Sequence, residues 1–207
     1  MINSVLLRCV SVMFAASLIS ACSVTPQEYK DETPVMDMKT YFSGPIEAWG
    51  LFQNYREKVV KRFHVSMLGE WSGDKGTLDE RFTYSDGSTQ RRVWNLIRVD
   101  ENTYSGTADD VVGEAKGIAY GHALRWEYTM ALEVDEETYH VQFDDWMYLI
   151  DNNTVINRSV MSKFGIDIGE VILVFIKPES RNTTSEQKSP FKMPELSNIN
   201  RVTSAIL

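Results

Sequence analysis

The chain has 207 residues, with 29 acidic against 21 basic side chains and a net charge of −8. No Lys/Arg cluster interrupts that acidity, so nothing is placed to neutralise a phosphate backbone, and nucleic-acid binding is disfavoured. The same charge disfavours adsorption to anionic lipid head groups, and the length suits one domain with a sizeable core.

Residues 1–21 read as an export signal. Arg8 and the free amine supply the positive start, and Cys9 to Ile19 is apolar except for Ser11 and Ser17. This run is shorter than the roughly 20 apolar residues that span a bilayer. It ends in Leu18-Ile19-Ser20-Ala21-Cys22, which resembles the lipobox of bacterial lipoproteins: an aliphatic residue, two small ones, then the cysteine. The resemblance implies that Cys22 carries a thioether-linked diacylglycerol and begins the mature chain. Of the two cysteines, Cys9 leaves with the signal, so an intrachain disulfide is impossible. One acyl chain anchors only marginally, whereas two or three hold firmly. Ser23, rather than Asp, follows the cysteine, which points to the outer membrane, on its periplasmic side. The mature chain carries a net charge of about −9, because residues 1–21 contain Arg8 and no acid.

Residues 22–39 are polar and mixed, with Pro26 and Pro34, and read as a tether that reaches about 60 Å when extended. In residues 40–57, Tyr41, Phe42, Ile46, Trp49, Phe52 and Tyr55 recur at spacings near three and four. This predicts a short amphipathic helix or turn packed on the domain. From Lys58 onward, β-branched and aromatic residues alternate with polar ones, and turn signals interrupt them every 8–15 residues. The predicted strands are 58–71, 76–85, 90–99, 103–109, 114–120, 122–133, 138–149, 154–163 and 168–177. They are separated by turns such as Ser85-Asp86-Gly87-Ser88 and Asp151-Asn152-Asn153. Eight or nine sequential strands with short links predict an all-β antiparallel up-and-down meander, closed into a lipocalin-like barrel because closure removes exposed edges. A β-sandwich is the alternative. Residues 40–177 form this single domain, and 178–207, rich in Ser, Thr, Asn, Lys and Pro, read as a mostly disordered tail.

Most strands carry one apolar face and one that mixes polar and aromatic residues. In 138–149, for example, Tyr139, Val141, Phe143, Met147 and Leu149 alternate with His140, Gln142, Asp144, Trp146 and Tyr148. With the mixed face inward, Arg125, Asp144, Trp146 and Asn157 line a cavity. With it outward, the same residues are a solvated surface. A one-residue shift exchanges the two, so the pattern alone leaves both open. A ligand pocket needs aromatic walls and a few convergent polar groups. Trp94, Trp126 and Trp146 are candidate walls, and Arg92, Arg125 or Arg158 candidate holders of an acidic head group.

Two acidic pairs, Asp109-Asp110 and Asp144-Asp145, invite comparison with the paired carboxylates of glycosidases. Strand neighbours face opposite sides, so an acid and a base would have to come one from each pair, with Asp110 and Asp144 as the candidates. His64, His122 and His140 do not fall at metal-ligand spacings, and neither a cofactor motif nor a nucleophile or phosphate-loop motif is present.

Several segments are shared with a known family. They include Tyr41-Phe42-Ser43-Gly44, Ala48-Trp49-Gly50, Asp86-Gly87, Arg92-Val93-Trp94 and Ala108-Asp109-Asp110-Val111-Val112-Gly113. Asp144-Asp145-Trp146-Met147-Tyr148 and Met161-Ser162-Lys163-Phe164-Gly165 complete the set. Together they resemble a proteobacterial lipoprotein family known as domain of unknown function 3833, over residues 40–177. The resemblance implies an envelope lipoprotein of unassigned biochemistry and supplies no catalytic residues. The likeness to lipocalins is architectural: their Gly-x-Trp opens the first strand, whereas Gly69-Glu70-Trp71 closes the first strand predicted here.

Three functions follow as expectations. The first is a tethered barrel holding a small apolar or amphiphilic, lipid-like molecule. The second is an accessory protein docking onto another envelope protein. The third is a hydrolase using Asp110 and Asp144.

Overall fold

The computed structural model describes residues 23–134 and 137–178. Residues 1–22, which include the expected export signal and Cys22, and the expected tail from residue 179 onward lie outside the described residues.

Ten antiparallel strands form a closed barrel in which each pairs with its neighbours in sequence and the last closes on the first. They are β1 (Gly44–Asn54), β2 (Val59–Ser72), β3 (Lys75–Tyr84), β4 (Thr89–Arg98), β5 (Thr103–Thr107), β6 (Ala115–Tyr120), β7 (Ala123–Val134), β8 (Glu137–Leu149), β9 (Thr154–Lys163) and β10 (Ile166–Ile176). The turns fall where Asp and Gly predicted them. The Asp100 carboxylate accepts the Asn102 and Thr103 amides, and Asp151 accepts those of Asn153 and Thr154.

The strand count exceeds the expected eight or nine because residues 44–54 are a strand, not a helix. Both faces of β1 carry apolar side chains: Ile46 and Ala48 are buried inside, while Trp49 stands half-exposed outside. Apolar residues on both faces hide the period of two and leave chance spacings near three. β1 pairs with β10 from Glu47↔Ile176 to Asn54↔Gly169, and this contact closes the wall. The helix that does form, α1 (Met38–Tyr41), is a single turn, capped by Asp37 Oδ1 accepting the Thr40 amide at 2.6 Å.

From Pro26 to Phe42 the chain runs against the barrel rather than hanging free. Pro26, Met36 and Met38 are buried. A 3-10 turn (Pro26–Tyr29) lies on β6 and β7. The Tyr29 carbonyl sits 1.6 Å from where a Cβ on Gly121 would be, so only glycine is tolerated there. Gly121 also accepts the Met36 amide at 2.6 Å. Met38, Tyr41 and Phe42 then plug one end of the barrel. Trp71, at the end of β2, donates its Nε1–H to the Phe42 carbonyl at 3.1 Å and holds the plug in place.

The register settles which face is inside. Leu124, Trp126 and Met130 of β7 and Val141, Phe143, Asp145 and Met147 of β8 are buried, while Arg125, Asp144 and Trp146 point out. The mixed face is therefore the outer surface.

Candidate ligand cavity

A cavity of about 520 Å³ runs from the plug toward the opposite end, where half-exposed Lys61 and exposed Gln90 stand at the rim. This volume falls within the range of about 300–1,000 Å³ common for small-molecule sites. Its walls are aromatic and thioether side chains. Trp94 meets Trp126 edge-to-face at 5.7 Å and Tyr128 at 5.4 Å, and Tyr128 stacks on Phe143 at 5.0 Å. Trp126 fits because two neighbouring strands place glycine beneath its ring. A Cβ on Gly117 would come within 2.4 Å of the indole, and one on Gly106 within 2.8 Å.

β5 and β6 are short, so above them the wall has a gap between β4 and β7. Residues 108–114 fill it. The Val112 amide donates to Thr129 and the Ala131 amide to Asp110, each at 2.8 Å, around a Val111↔Met130 bridge. Toward β4 the seam is made by side chains. Arg92 Nε donates to Asp110 Oδ1 at 3.0 Å and Nη2 to Oδ2 at 2.7 Å, a bidentate pair with both partners largely buried. Burial works against the Arg92 charge, but Asp110 and Glu80 outweigh it and hold the guanidinium well above its usual pKa.

Two further carboxyls lie inside. Glu80 on β3 is 9 % exposed, and its Oε2 lies 3.6 Å from Arg92 Nη1, too far for a hydrogen bond. Burial pushes Glu80 up to about 7 against the pull of Arg92, with Asp110 and Asp145 adding to the rise. Asp145 on β8 accepts from Ser159 Oγ of β9 and, at 3.5 Å, from Tyr128 Oη. Burial also lifts Asp145 to about 7, against its hydrogen bonds. Asn157 lies on the same face of β9, two residues from Ser159. Glu80 Oε2 and Asn157 Oδ1 are buried and have no hydrogen-bond partner. Among the described residues, no group of three His, Cys, Asp or Glu side chains is arranged to hold a metal ion.

The expected site residues divide into two groups. Arg92, Trp94, Trp126 and Asn157 line the cavity. Arg125, Asp144, Trp146 and Arg158 do not. Arg125 pairs with Asp144 at 2.7 Å on the outer wall, its guanidinium over Trp146. Trp146 packs against Tyr29 and stacks on Tyr148, so it seats the N-terminal segment. Arg158 pairs with Glu170 outside. Asp110 and Asp144 are held on opposite sides of the wall, by Arg92 and Arg125 respectively, so they cannot act as an acid–base pair. Glu80 and Ser159 were missed. Glu80 sits in the ordinary-looking run Asp79-Glu80-Arg81, and only the inward turn of β3 sets it apart from its neighbours.

The model of the family described as protein of unknown function (DUF3833) matches residues 16–177. The chain belongs to this family. A search of curated proteins finds no match. Among solved structures, the chain is similar to an S-type phycobiliprotein lyase, CPES, from Guillardia theta. The TM-score is 0.53 at 6% identity, covering 70% of this chain and 95% of that one. It is also similar to a protein of unknown function from the DUF3598 family of Nostoc punctiforme, with a TM-score of 0.49 at 8% identity, covering 71% of this chain and 51% of that one. At 6% identity the likeness to the lyase is one of fold. It agrees with the lipocalin-like barrel that the strand pattern implies.

Proposed function

We propose that this DUF3833 protein is an envelope lipoprotein whose barrel binds a small apolar or amphiphilic molecule close to the outer membrane. The observation that carries this reading is the interior: a cavity of about 520 Å³ with aromatic and methionine walls and a few buried polar groups. The lipobox at Leu18–Cys22 supports the membrane location. Pro26 is already buried on the barrel four residues after Cys22. Acyl chains on Cys22 would therefore hold the plugged end near the bilayer and leave the rim turned away from it. The test is native mass spectrometry of the full chain purified from bacterial membranes. A discrete added mass that leaves on denaturation is expected. A bare mass, together with no uptake of an apolar fluorescent probe, refutes the reading.

A second reading, docking onto another envelope protein, is favoured by one outer strip. Trp49 is 51% exposed there, beside the outward-facing Leu51 of β1 and Ile172 and Val174 of β10. A photo-crosslinking residue at position 51 would join one discrete partner if this strip docks, and none if it does not.

A further inference from the structure

The polar groups in the cavity are mismatched in sign. Two carboxyls, from Glu80 and Asp145, line it with the guanidinium of Arg92, and Asp110 at the loop seam already occupies two of that guanidinium's N–H groups. Lys61 at the rim is engaged by Asp86 at 3.1 Å and lies over the Tyr84 ring. Among the described residues, each cation that lines the cavity is thus already paired with a carboxylate, which disfavours an acidic head group. The two buried atoms without partners, Glu80 Oε2 and Asn157 Oδ1, are both acceptors. A buried acceptor left unpaired costs about 1–3 kcal/mol, so a molecule that donates to it is favoured over one that cannot.

We propose that the cavity takes an amphiphile whose buried head is a protonated primary or secondary amine. Its N–H groups are donated to the open acceptors, and its charge is set against the Glu80 and Asp145 carboxyls. This inference rests on the barrel being a binding module and names the head-group chemistry of its ligand. An ammonium carries the sign the carboxyls lack, and the surrounding rings add cation–π attraction. Tyr128 donates to Asp145 and lies near Arg92 and Glu80, so the polar zone spans β3, β4, β7, β8 and β9 within otherwise apolar walls. A quaternary ammonium shares the charge and lacks the donors. A fatty acid brings a third carboxylate into a space already lined by two. A fatty alcohol can donate but carries no charge.

The test titrates the full-length protein with dodecylamine, dodecyltrimethylammonium, dodecanol and dodecanoate, all below their micellar concentrations. Trp fluorescence follows binding, and native mass spectrometry gives the stoichiometry. At pH 8, dodecylamine is expected to bind at least tenfold more tightly than any of the other three. That preference should shrink at pH 5.5, where Glu80 and Asp145 carry protons. Glu80→Gln should remove most of the amine's preference over dodecanol, with circular dichroism confirming the fold. Asp145→Asn is the second variant, should Glu80→Gln alter the barrel. Dodecanoate binding most tightly, or dodecanol or dodecyltrimethylammonium equalling the amine, overturns the head-group assignment while leaving the barrel a binding module. Failure of all four probes to bind, together with a bare native mass, brings down the binding reading itself.

Discussion

Glu80 and Asp145 make stability fall as pH rises, opposite to the usual behaviour of paired carboxylates. Glu80 is lifted from 4.5 to about 7 because burial penalises its charge. A carboxyl whose folded pKa lies above its unfolded value holds its proton longer in the native state. Stability is then lost between the unfolded and the folded pKa, and the loss is complete somewhat above pH 7. For Glu80 alone, linkage gives a decrease of about 2–3 kcal/mol between pH 5 and pH 8, with Asp145 adding to it less than additively because the two charges interact. Glu80→Gln removes the titration while keeping the shape. Urea unfolding of the ligand-free protein at both pH values should show wild type and variant within about 1 kcal/mol of each other at pH 5, and the variant more stable by about 2–3 kcal/mol at pH 8. Parallel pH profiles for the two proteins would refute the reasoning, since Glu80 would then titrate alike in folded and unfolded chains.

Three other substitutions probe the frame around the cavity and its placement. Gly117→Ala drives a methyl to within 2.4 Å of the Trp126 ring, and displacing the indole should cost about 1–3 kcal/mol and shift Trp emission. Unchanged emission and stability would mean the ring does not depend on that glycine. Asp110→Ala strips Arg92 of its bidentate partner. It should cost roughly 2–4 kcal/mol, somewhat less than breaking a fully buried pair because Asp110 keeps some solvent contact. Hydrogen exchange should then rise at the Val112 and Ala131 amides; if it stays at wild-type levels, the side-chain seam does not hold that segment. Cys22→Ala should move the protein from the membrane to the soluble fraction, and continued membrane fractionation would rule out acylation as the anchor.

Much of the barrel is written locally in the chain. From β2 to β10, period-two patterns punctuated by Asp and Gly locate every strand to within a few residues, because a turn residue acts on its own backbone whatever lies elsewhere. The family resemblance and the all-β class are likewise matters of short segments. β1 escaped because it carries apolar side chains on both faces, one set for the core and one for the outer strip, and no single-strand pattern separates these from a helix. The packing of residues 26–42 escaped because its glycine acceptor, Gly121, lies some eighty positions along the chain.

The interior needed the closed barrel. Reversing the register by one residue would place Trp146 and Arg125 inside and Trp126 and Asp145 outside, with the same composition and the same turns. Burial of the more apolar face inside the closed wall fixes that choice. The same closure brings Glu80, Arg92, Asp110, Tyr128 and Asp145 together from four strands and a loop. The short motifs around Asp110 and Asp145 marked those residues in the sequence but assigned them no partners. Their chemistry is set by burial and by neighbours distant along the chain, and it exists only once the wall has closed around them.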